Sequence, residues 1–516
     1  MVNRIQIPKP KIGVFGVGHA TYWAQFGGLF DRLMGYHEEM KAIVRQNNVD
    51  IIDYGMVDTS ETAYHVLDKM LADRLDLIFC NMLTYATSST FAPIIRDAKA
   101  PVVLVALQPL AAMDYSKANT VMQLENDNIC SVPEFTGVAL RMGRAVADVI
   151  IGTLRDYGTT GSKLNDRQHD TVASKIANRH VASISKSVDW HGAAVREIAD
   201  WCDAAAAIRS LRGARIGLMG HVLEAMYDMH ADPTAVSAAF GLHAPLLEPD
   251  DLLQCLDEVT DNAVAAKKAY ILQEFETPDP KGDPVTCKLI EGDLHEAAST
   301  AVALDIFIKR HNLTGFAYHY EGMPGSPHQK ICSSLVVGNS ILNGLGFPMC
   351  GEYDLKTCVA MLIMDRMGMG GSFAEFHPLD FNENFVLIGH DGPHHIAIAN
   401  EKPVLRGLVK FHGKPGFGAS VEFKIKEGPI TMLGVTQTYD GRMKFVVGEG
   451  MSMKGPIPPT GNTNTRGFFM PDTPTFVKEW VKQGPTHHFA LGVGHRAAAI
   501  VKLGRALGIE TVVVAL

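Results

Sequence analysis

The sequence lacks several features that mark common classes of protein. Its 516 residues contain no apolar run of about 18 residues, so we predict no membrane-spanning helix. Lysine and arginine (47) are outnumbered by aspartate and glutamate (56), and no basic stripe is visible, which argues against nucleic acid as a partner. The eight cysteines show no CxxC spacing, and several, such as Cys80 and Cys287, fall in apolar runs, which indicates buried and reduced thiols.

Two further absences concern the first part of the chain. The N-terminal residues have no apolar segment and no cleavage site of the kind found in signal peptides, so we expect a cytoplasmic protein. Residues 13–21 read Gly-Val-Phe-Gly-Val-Gly-His-Ala-Thr, which begins like a dinucleotide-binding fingerprint but lacks its third glycine. The second predicted strand has no acid in the expected place, since Asp53 is followed by tyrosine and glycine. A tight strand-to-loop turn is the favoured interpretation, and a nucleotide-dependent oxidoreductase is an alternative.

What the sequence does contain is an alternation of short apolar strands and helical stretches. A chain of this length needs about two to four domains. In the first part, helices are predicted over residues 60–74 and, rich in alanine, over 189–211. The strands of this part are predicted at residues 11–16, 50–55, 75–80 and 101–106. Continuous apolar strands between helices are typical of a parallel sheet covered on both faces, so we predict a Rossmann-like α/β domain over residues 1–212.

The same pattern restarts at residues 214–220, another short strand that ends in glycine. Further strands are predicted at residues 240–247 and 314–320, and helices at residues 250–274 and 295–312. We therefore predict a second doubly wound α/β domain over residues 213–346.

Beyond about residue 380 the predicted strands are no longer separated by helices. Short strands follow one another with Gly, Pro, Asn and Asp between them and without helices, at residues 384–388, 420–426, 430–435 and 443–447. A helix at 496–507 and a strand at 510–515 are predicted after them. This spacing is typical of an antiparallel sheet or barrel. The predicted fold class is α/β: two doubly wound Rossmann-like domains followed by a C-terminal antiparallel, β-rich and barrel-like domain over residues 347–516.

Two glutamates, Glu321 and Glu352, each follow a short apolar segment and precede a helical stretch. In open α/β sheets, ligands bind at the carboxyl ends of the strands. Two carboxylates at such an edge could hold a hard divalent metal or transfer protons. Either glutamate alone is better explained as an acid that stabilises a helix N-terminus.

Histidines near the two glutamates would favour a metal site over a role at a helix N-terminus. Two carboxylates with imidazole suit Mn²⁺, Fe²⁺, Co²⁺ or Zn²⁺ better than Ca²⁺. The chain has 21 histidines, so some lie near any acid by chance. The candidate ligands are His377, Asp380, His390 and His495. The pairs at 394–395 and 487–488 are expected to be surface or packing residues.

Three short motifs follow one another after Glu321. They are Gly-Glu-Tyr-Asp-Leu-Lys-Thr at 351–357, Gly-Gly-Ser-Phe at 370–373 and Glu-Lys-Pro-Val-Leu at 401–405. In order and spacing they resemble the L-arabinose isomerase family, within the wider L-fucose and L-arabinose isomerase group. A weaker resemblance covers most of the chain, and the three-part layout is also similar to that family's fold.

The resemblance implies a metal-dependent proton-transfer site. The metal would be Mn²⁺, with Co²⁺, Fe²⁺ or Mg²⁺ as alternatives. Its implied ligands are Glu321, Glu352 and His495, with either His377 or Asp380 as the fourth. Glu321 and Glu352 would also be the catalytic pair, one for the carbon proton and one for the oxygen proton.

The resemblance also implies where a sugar would bind. The expected contacts are Gln108, His19, His221 and His390. Residues 17–20 read Val-Gly-His-Ala where the family has Ser-Gln-His-Leu, so the sugar preference is expected to differ. In that family a neighbouring subunit completes the pocket, which implies a homo-oligomer, either a hexamer or a tetramer.

We therefore expect an aldose–ketose isomerase, an intramolecular oxidoreductase that works through an enediol or enediolate. L-Arabinose/L-ribulose-like or D-galactose/D-tagatose-like pairs would be its substrates. One alternative is an isomerase or epimerase of a modified or 6-deoxy sugar. Another is a non-catalytic sugar-binding protein, which would have no need of two glutamates at strand ends.

Overall fold

The computed structural model describes residues 4–158, 188–222, 225–279, 284–411, 414–459 and 461–515. The chain divides into two compact units, Lys9–Ala205 on the one hand and Met1–Pro8 with Ala206–Leu516 on the other. The second unit holds both the predicted central domain and the predicted C-terminal domain. The division into three domains at residues 212 and 346 stays a prediction.

The first unit is built on a parallel sheet of five strands. The strands are β1 (Lys11–Val17), β2 (Asp50–Val57), β3 (Leu77–Met82), β4 (Val102–Gln108) and β5 (Asp148–Thr153). The helices are α1 (Thr21–Gln25), α2 (Leu29–Arg45), α3 (Ser60–Asp73), α4 (Ala92–Asp97), α5 (Thr120–Glu125), α6 (Val132–Arg141) and the start of α7 (Trp190–Leu211). The strand order is β2-β1-β3-β4-β5, and every residue of β3 is buried. The predicted parallel sheet with both faces covered is confirmed.

The second unit begins with a smaller parallel sheet in the order β10-β9-β6-β7. Its part of the chain has the strands β6 (Ile216–Met219), β7 (Leu246–Leu247), β8 (Thr286–Cys287), β9 (Gly315–Tyr318) and β10 (Met349–Cys350). The helices are α8 (Pro233–Phe240), α9 (Pro249–Asp257), α10 (Asp261–Glu274), α11 (Glu291–Arg310), α12 (Pro327–Ser333), α13 (Val336–Gly344) and α14 (Leu355–Arg366). Because β6, β9 and β10 are parallel neighbours, their carboxyl ends lie along one edge.

Two predictions for this region are wrong in detail. The predicted strand at 240–247 begins with Phe240, which is the last residue of α8, so only two of its residues pair as β7. The predicted single helix at 250–274 is two helices, because Thr260 caps a new one through a hydrogen bond from Ala263 N to its side chain.

Six of the remaining strands form a closed antiparallel barrel. The remaining strands are β11 (Gly370–Asp380), β12 (Phe385–His390), β13 (Val404–Leu408), β14 (Lys410–Phe411), β15 (Lys414–Pro415), β16 (Ala419–Glu422), β17 (Gly428–Gln437), β18 (Met443–Met453), β19 (Thr463–Phe468), β20 (Phe489–Val493) and β21 (Glu510–Val514). Strands β16 and β13 form a separate sheet with β8, and β14 pairs with β15. Six strands run β17-β20-β11-β12-β19-β18, and a β17–β18 pairing closes the ring. Strand β21 adds to β18 in parallel. The predicted barrel-like architecture is confirmed.

Helices also occur in this region, as α15 (Thr473–Val481) and α16 (Ala497–Leu507). The expectation of no helix among the strands before residue 496 is wrong, because Asp472 caps α15 by accepting from the backbone of Thr475. Strand β11 also begins before the change in pattern at about residue 380.

Helix α14 joins the two parts of the second unit. All of its residues are buried, and it packs against β9 of the parallel sheet and against β11, β17 and β20 of the barrel. Such enclosure explains why its central residues, 358–364, are all apolar. The residues just before it, Glu352 and Asp354, are thereby fixed between the sheet edge and the barrel.

All eight cysteines are free thiols, but two of them are exposed. The expected burial of Cys287 is wrong: in the short strand β8, Thr286 faces inward and Cys287 faces outward, as alternation along a strand requires. Across the described ranges, no helix has the length and apolar character needed to cross a membrane.

Candidate metal centre

Glu352 lies at the carboxyl edge of the small parallel sheet, two residues after β10. Its backbone and that of Tyr353 are both left-handed, with φ of 60°. This conformation is uncommon for residues other than glycine. The turn is held by a hydrogen bond from Tyr353 N to Tyr318 O of 3.0 Å. It directs a carboxylate that is only 6% exposed into the interior.

Two buried histidines from the barrel approach this carboxylate. His390 ends β12, and His488 immediately precedes β20. Nε2 of His390 lies 3.5 Å from Oε1 of Glu352, and Nε2 of His488 lies 3.6 Å from Oε2. The ring of Phe373 packs against both imidazoles, with centroid distances of 4.5 and 4.2 Å.

The other ring nitrogen of each histidine has a fixed partner. Nδ1 of His488 lies 3.1 Å from Oδ2 of Asp354, a fully buried carboxylate. Nδ1 of His390 lies 2.6 Å from the carbonyl oxygen of Asp391. In the neutral form of each imidazole, a proton on Nδ1 leaves the Nε2 lone pair turned toward Glu352, as in metal sites where an outer partner fixes the tautomer.

A second acidic group shares His488. Glu375 lies on β11 opposite Gly389 of β12, the neighbour of His390. Its Oε2 is 2.5 Å from Nε2 of His487. The ligand atoms of Glu352, His390 and His488 lie within 4.8 Å of one another, and so do those of Glu375, His487 and His488. The two groups therefore form one continuous cluster.

The cluster perturbs the acidity of its members. Burial opposes the charge on His390, but the Glu352 carboxylate raises the pKa of that imidazole to about 9. Burial likewise opposes the charge on Glu375, yet His487 and the nearby imidazoles lower its pKa to about 2. The hydrogen bond to Glu375 raises the pKa of His487. Carboxylates and protonated imidazoles thus balance one another in a space that is buried around Glu352, His390 and His488 and reaches solvent at His487.

The residues fit a divalent metal. Nε2 of His488 is buried and has no hydrogen-bond partner among the described residues, although its side chain is only 1% exposed. A buried nitrogen without a partner is costly unless something else occupies its lone pair. Two carboxylates with two imidazoles are a donor set that suits Mn²⁺, Fe²⁺, Co²⁺ or Zn²⁺. Glu352, His390 and His488 lie close enough together to hold such an ion, and Glu375 lies beside His488 in the second group.

Comparison with known proteins identifies related sugar isomerases. The L-arabinose isomerase of Bacillus subtilis (strain 168) is 22% identical over 325 residues, which are 60% of this chain and 62% of that protein. The L-arabinose isomerase of Enterobacter sp. (strain 638) is 25% identical over 273 residues, 50% of this chain and 51% of that protein. The resemblance to the L-arabinose isomerases is confirmed. No protein-family model matches the chain.

A sulfoquinovose isomerase of Priestia megaterium is 26% identical over 163 residues, which are 31% of this chain and 35% of that protein. The chain therefore spans less than two thirds of the length of each of these relatives. Both kinds of relative are named as isomerases of sugars.

Not all ligands expected from the L-arabinose isomerase resemblance join the cluster. Nε2 of His495 lies 2.9 Å from the carbonyl oxygen of Gly450 and is in neither group. The Asp380 carboxylate accepts from two backbone amides of the following turn, at 2.9 and 2.8 Å. Nε2 of His377 lies 4.0 Å from Oε1 of Glu375, so it borders the cluster.

Glu321 lies near the cluster but outside both groups. Its Oε2 is 2.5 Å from Nζ of Lys414. Burial opposes its charge, but Lys414 lowers its pKa below the ordinary value. The Glu321 side chain is 25% exposed, so an ionised carboxylate is accessible here. Burial lowers the pKa of His319 to about 4, and the Glu321 and Glu352 carboxylates oppose that shift.

The residues expected to contact sugar are placed as follows. His221 stacks on His319 with a centroid distance of 4.0 Å, at the carboxyl ends of β6 and β9. His390 belongs to the cluster. In the first unit, Gln108 donates to Leu110 O at 2.5 Å, and the ring of His19 lies 5.1 Å from that of Tyr22.

Sequence reasoning missed Glu375, His487 and His488. A signal for Glu375 was present, because Glu375 and His377 alternate on one face of a strand directly after the 370–373 motif. The two histidines at 487–488 were expected to be surface or packing residues, and no local pattern marks them as ligands. Only barrel closure brings His488 to Glu352.

Proposed function

We propose that this protein is an aldose–ketose isomerase whose divalent metal is held by Glu352, Glu375, His390 and His488. The observation that carries the proposal is the buried Nε2 of His488, oriented by Asp354 and directed at a carboxylate. A histidine that served packing alone would have no need of this arrangement. The similarity to L-arabinose isomerases supports the same reaction type.

The metal, Mn²⁺ with Co²⁺, Fe²⁺ or Mg²⁺ as alternatives, would supply Lewis-acid polarisation of the sugar's carbonyl and hydroxyl oxygens. The chain itself must move the protons. Converting an aldose into a ketose moves one proton between C2 and C1 and another between the two oxygens, so two proton carriers are required. General acid–base steps of this kind contribute about 10²- to 10⁴-fold each.

Three carboxylates could act as the proton carriers. Glu352 and Glu375 flank the shared His488. Glu321 is kept ionised by Lys414 and is partly exposed, so it could accept a proton from a bound sugar. We propose Glu352 as one carrier and either Glu375 or Glu321 as the other.

Single glutamine variants test this assignment. Glu352→Gln and one of Glu375→Gln and Glu321→Gln should lower kcat by about 10²-fold or more. Glu479→Gln, which removes an α15 carboxylate that is paired with Lys482 and belongs to neither ligand group, is the control and should leave kcat unchanged. If Glu321→Gln alone among the three keeps wild-type turnover, the pair is Glu352 and Glu375. Near-wild-type turnover of Glu352→Gln would refute the proposal.

The substrate class is proposed from the relatives and from one feature of the site. L-Arabinose/L-ribulose-like and D-galactose/D-tagatose-like pairs are the first candidates. The second candidate is an aldose with an anionic group at C6, because a relative is named sulfoquinovose isomerase and because the Lys414 ammonium is 35% exposed beside Glu321. His221, Gln108 and His19 remain proposed sugar contacts.

A substrate panel tests the function. The purified chain is assayed for ketose formation from aldopentoses, aldohexoses, 6-deoxyhexoses and sulfoquinovose, each with Mn²⁺ and with EDTA. We expect turnover of at least one aldose with Mn²⁺ and its loss with EDTA. Turnover that persists after metal removal would refute the metal centre, and sugar binding without any turnover would favour the binding-protein alternative. The proposed homo-oligomer, a hexamer or tetramer, is tested by light scattering.

A further inference from the structure

A buried lysine stands next to the metal centre without belonging to it. Lys356 lies in the first turn of α14, and 1% of its surface is exposed. Its Nζ donates to two main-chain carbonyl oxygens, those of Asp228 at 2.7 Å and of His230 at 2.8 Å. These carbonyls belong to a short turn of 3₁₀ helix, Tyr227–Met229, and the residue after it. Lys356 therefore ties this turn to the start of α14.

The 227–230 turn also holds His487 and His488, the two histidines that precede β20 (the histidine segment). The Asp228 carboxylate accepts from the backbone N of His487 at 2.7 Å. His487 is followed directly by His488, whose imidazole is held by Asp354. The first residues of α14 thus reach this segment by two routes, one through Asp354 to a side chain and one through Lys356 and Asp228 to the backbone.

A charged ammonium group is unfavourable in so buried a position unless it has a structural role. Burial lowers the pKa of Lys356, and the carboxylates of Asp354 and Asp228 oppose that shift. A methionine of similar length would fill the same space without removing a charge from water. Methionine could not donate two hydrogen bonds to the 227–230 turn. We therefore explain the buried charge by the hydrogen bonds that hold this turn in place.

We propose that Lys356 is a positioning residue of the metal centre, acting through the 227–230 turn and Asp228 on the backbone that carries His487 and His488. This inference rests on the proposed function only in taking His488 as a metal ligand. Lys356 belongs to neither group of candidate ligands. Its removal would let the histidine segment shift and would weaken metal binding while the ligands themselves stay intact.

The test is Mn²⁺ titration of the full chain by calorimetry, without sugar. Partners that orient metal ligands typically change affinity by about 10- to 100-fold, and we expect Lys356→Met to weaken Mn²⁺ binding by that factor. The matched control is Lys267→Met. Lys267 is also a buried lysine of the same unit, 3% exposed and paired with Asp305 at 2.8 Å, so its loss should lower the melting temperature without changing Mn²⁺ affinity.

A second variant covers the case in which Lys356→Met does not fold. Asp228→Ser removes the acceptor for His487 N and should weaken Mn²⁺ binding by a similar factor. In the double variant Lys356→Met/Asp228→Ser the two losses of affinity should not add, because both act through one chain of contacts. In active preparations, excess Mn²⁺ should restore turnover. Wild-type Mn²⁺ affinity in folded Lys356→Met or Asp228→Ser would overturn the inference alone, whereas a wild-type chain that binds no divalent metal would overturn the proposed metal centre and the inference with it.

Discussion

Replacing Asp354 by asparagine should weaken metal binding without unfolding the protein. The Asp354 carboxylate accepts three hydrogen bonds: from Thr357 N at 3.0 Å, from Thr357 Oγ1 at 2.7 Å and from His488 Nδ1 at 3.1 Å. An amide has one oxygen and one NH₂ group. If the NH₂ faces His488, the imidazole must accept at Nδ1, and its proton moves to Nε2, the nitrogen that would bind metal. If the amide is turned round, its NH₂ faces Thr357 N.

The expected magnitude follows from the role of such outer partners. Their loss typically costs about 10- to 100-fold in metal affinity, which corresponds to about 1.4–2.8 kcal/mol. The chain contains a matched control in Asp472, which accepts from the backbone N and the hydroxyl of Thr475, both at 2.9 Å, in the same capping geometry. Asparagine is as good a helix cap as aspartate, so Asp472→Asn should be neutral.

Calorimetric Mn²⁺ titrations of the wild type, Asp354→Asn and Asp472→Asn make the comparison, with thermal unfolding of each as a check on folding. Only Asp354→Asn should bind more weakly. Equal Mn²⁺ affinity in all three chains would refute the reasoning, since it would mean that the Asp354 contact does not set the His488 tautomer.

Further predictions concern pH, packing and a buried ion pair. Mn²⁺ affinity should rise by about tenfold per pH unit up to about pH 9, because binding displaces a proton from His390, whose pKa is about 9; a pH-independent affinity would contradict this. In the metal-free protein, protonated His390 beside Glu352 stabilises the fold fully below about pH 6.5, and thermal unfolding should show this contribution fading as the pH rises toward about 9. Phe373→Ala should cost about 3–5 kcal/mol in urea unfolding, because the ring is buried against both imidazoles. Asp305→Ala should cost about 3–5 kcal/mol by leaving the Lys267 ammonium buried without its carboxylate.

The sequence predicted most of the fold because its periodic signals are local. The apolar run that forms β3, for example, is buried at every position. Such a run is enough to predict a buried parallel strand from the sequence alone. The errors lie where a single capping residue decides. Thr260 and Asp472 each cap a helix whose start is not predicted by the surrounding pattern of apolar residues.

The candidate site was predicted only in part, because half of it depends on long-range pairing. Glu352 and His390 follow or end apolar runs and could be found from the sequence. Glu375 is brought beside His390 by the β11–β12 register, and its neighbour Ala374 lies opposite Phe489, the residue after His488. Local sequence pattern could not distinguish this register from others, and the resemblance to the L-arabinose isomerases implied His495 instead, which follows β20 at its other end.

The place of β20 in the barrel has a consequence for how the protein matures. Strand β20 lies between β17 and β11, so the ring has a gap until Phe489–Val493 has been added to it. Domains generally fold from the N-terminus during synthesis, at about 5–20 residues per second. The nascent chain presents Glu352, Glu375 and His390 well before His488 leaves the ribosome. Coordination by all of the proposed ligands would therefore have to wait until His488 and β20 have been synthesised, and any metal captured earlier would be held by an incomplete set of ligands.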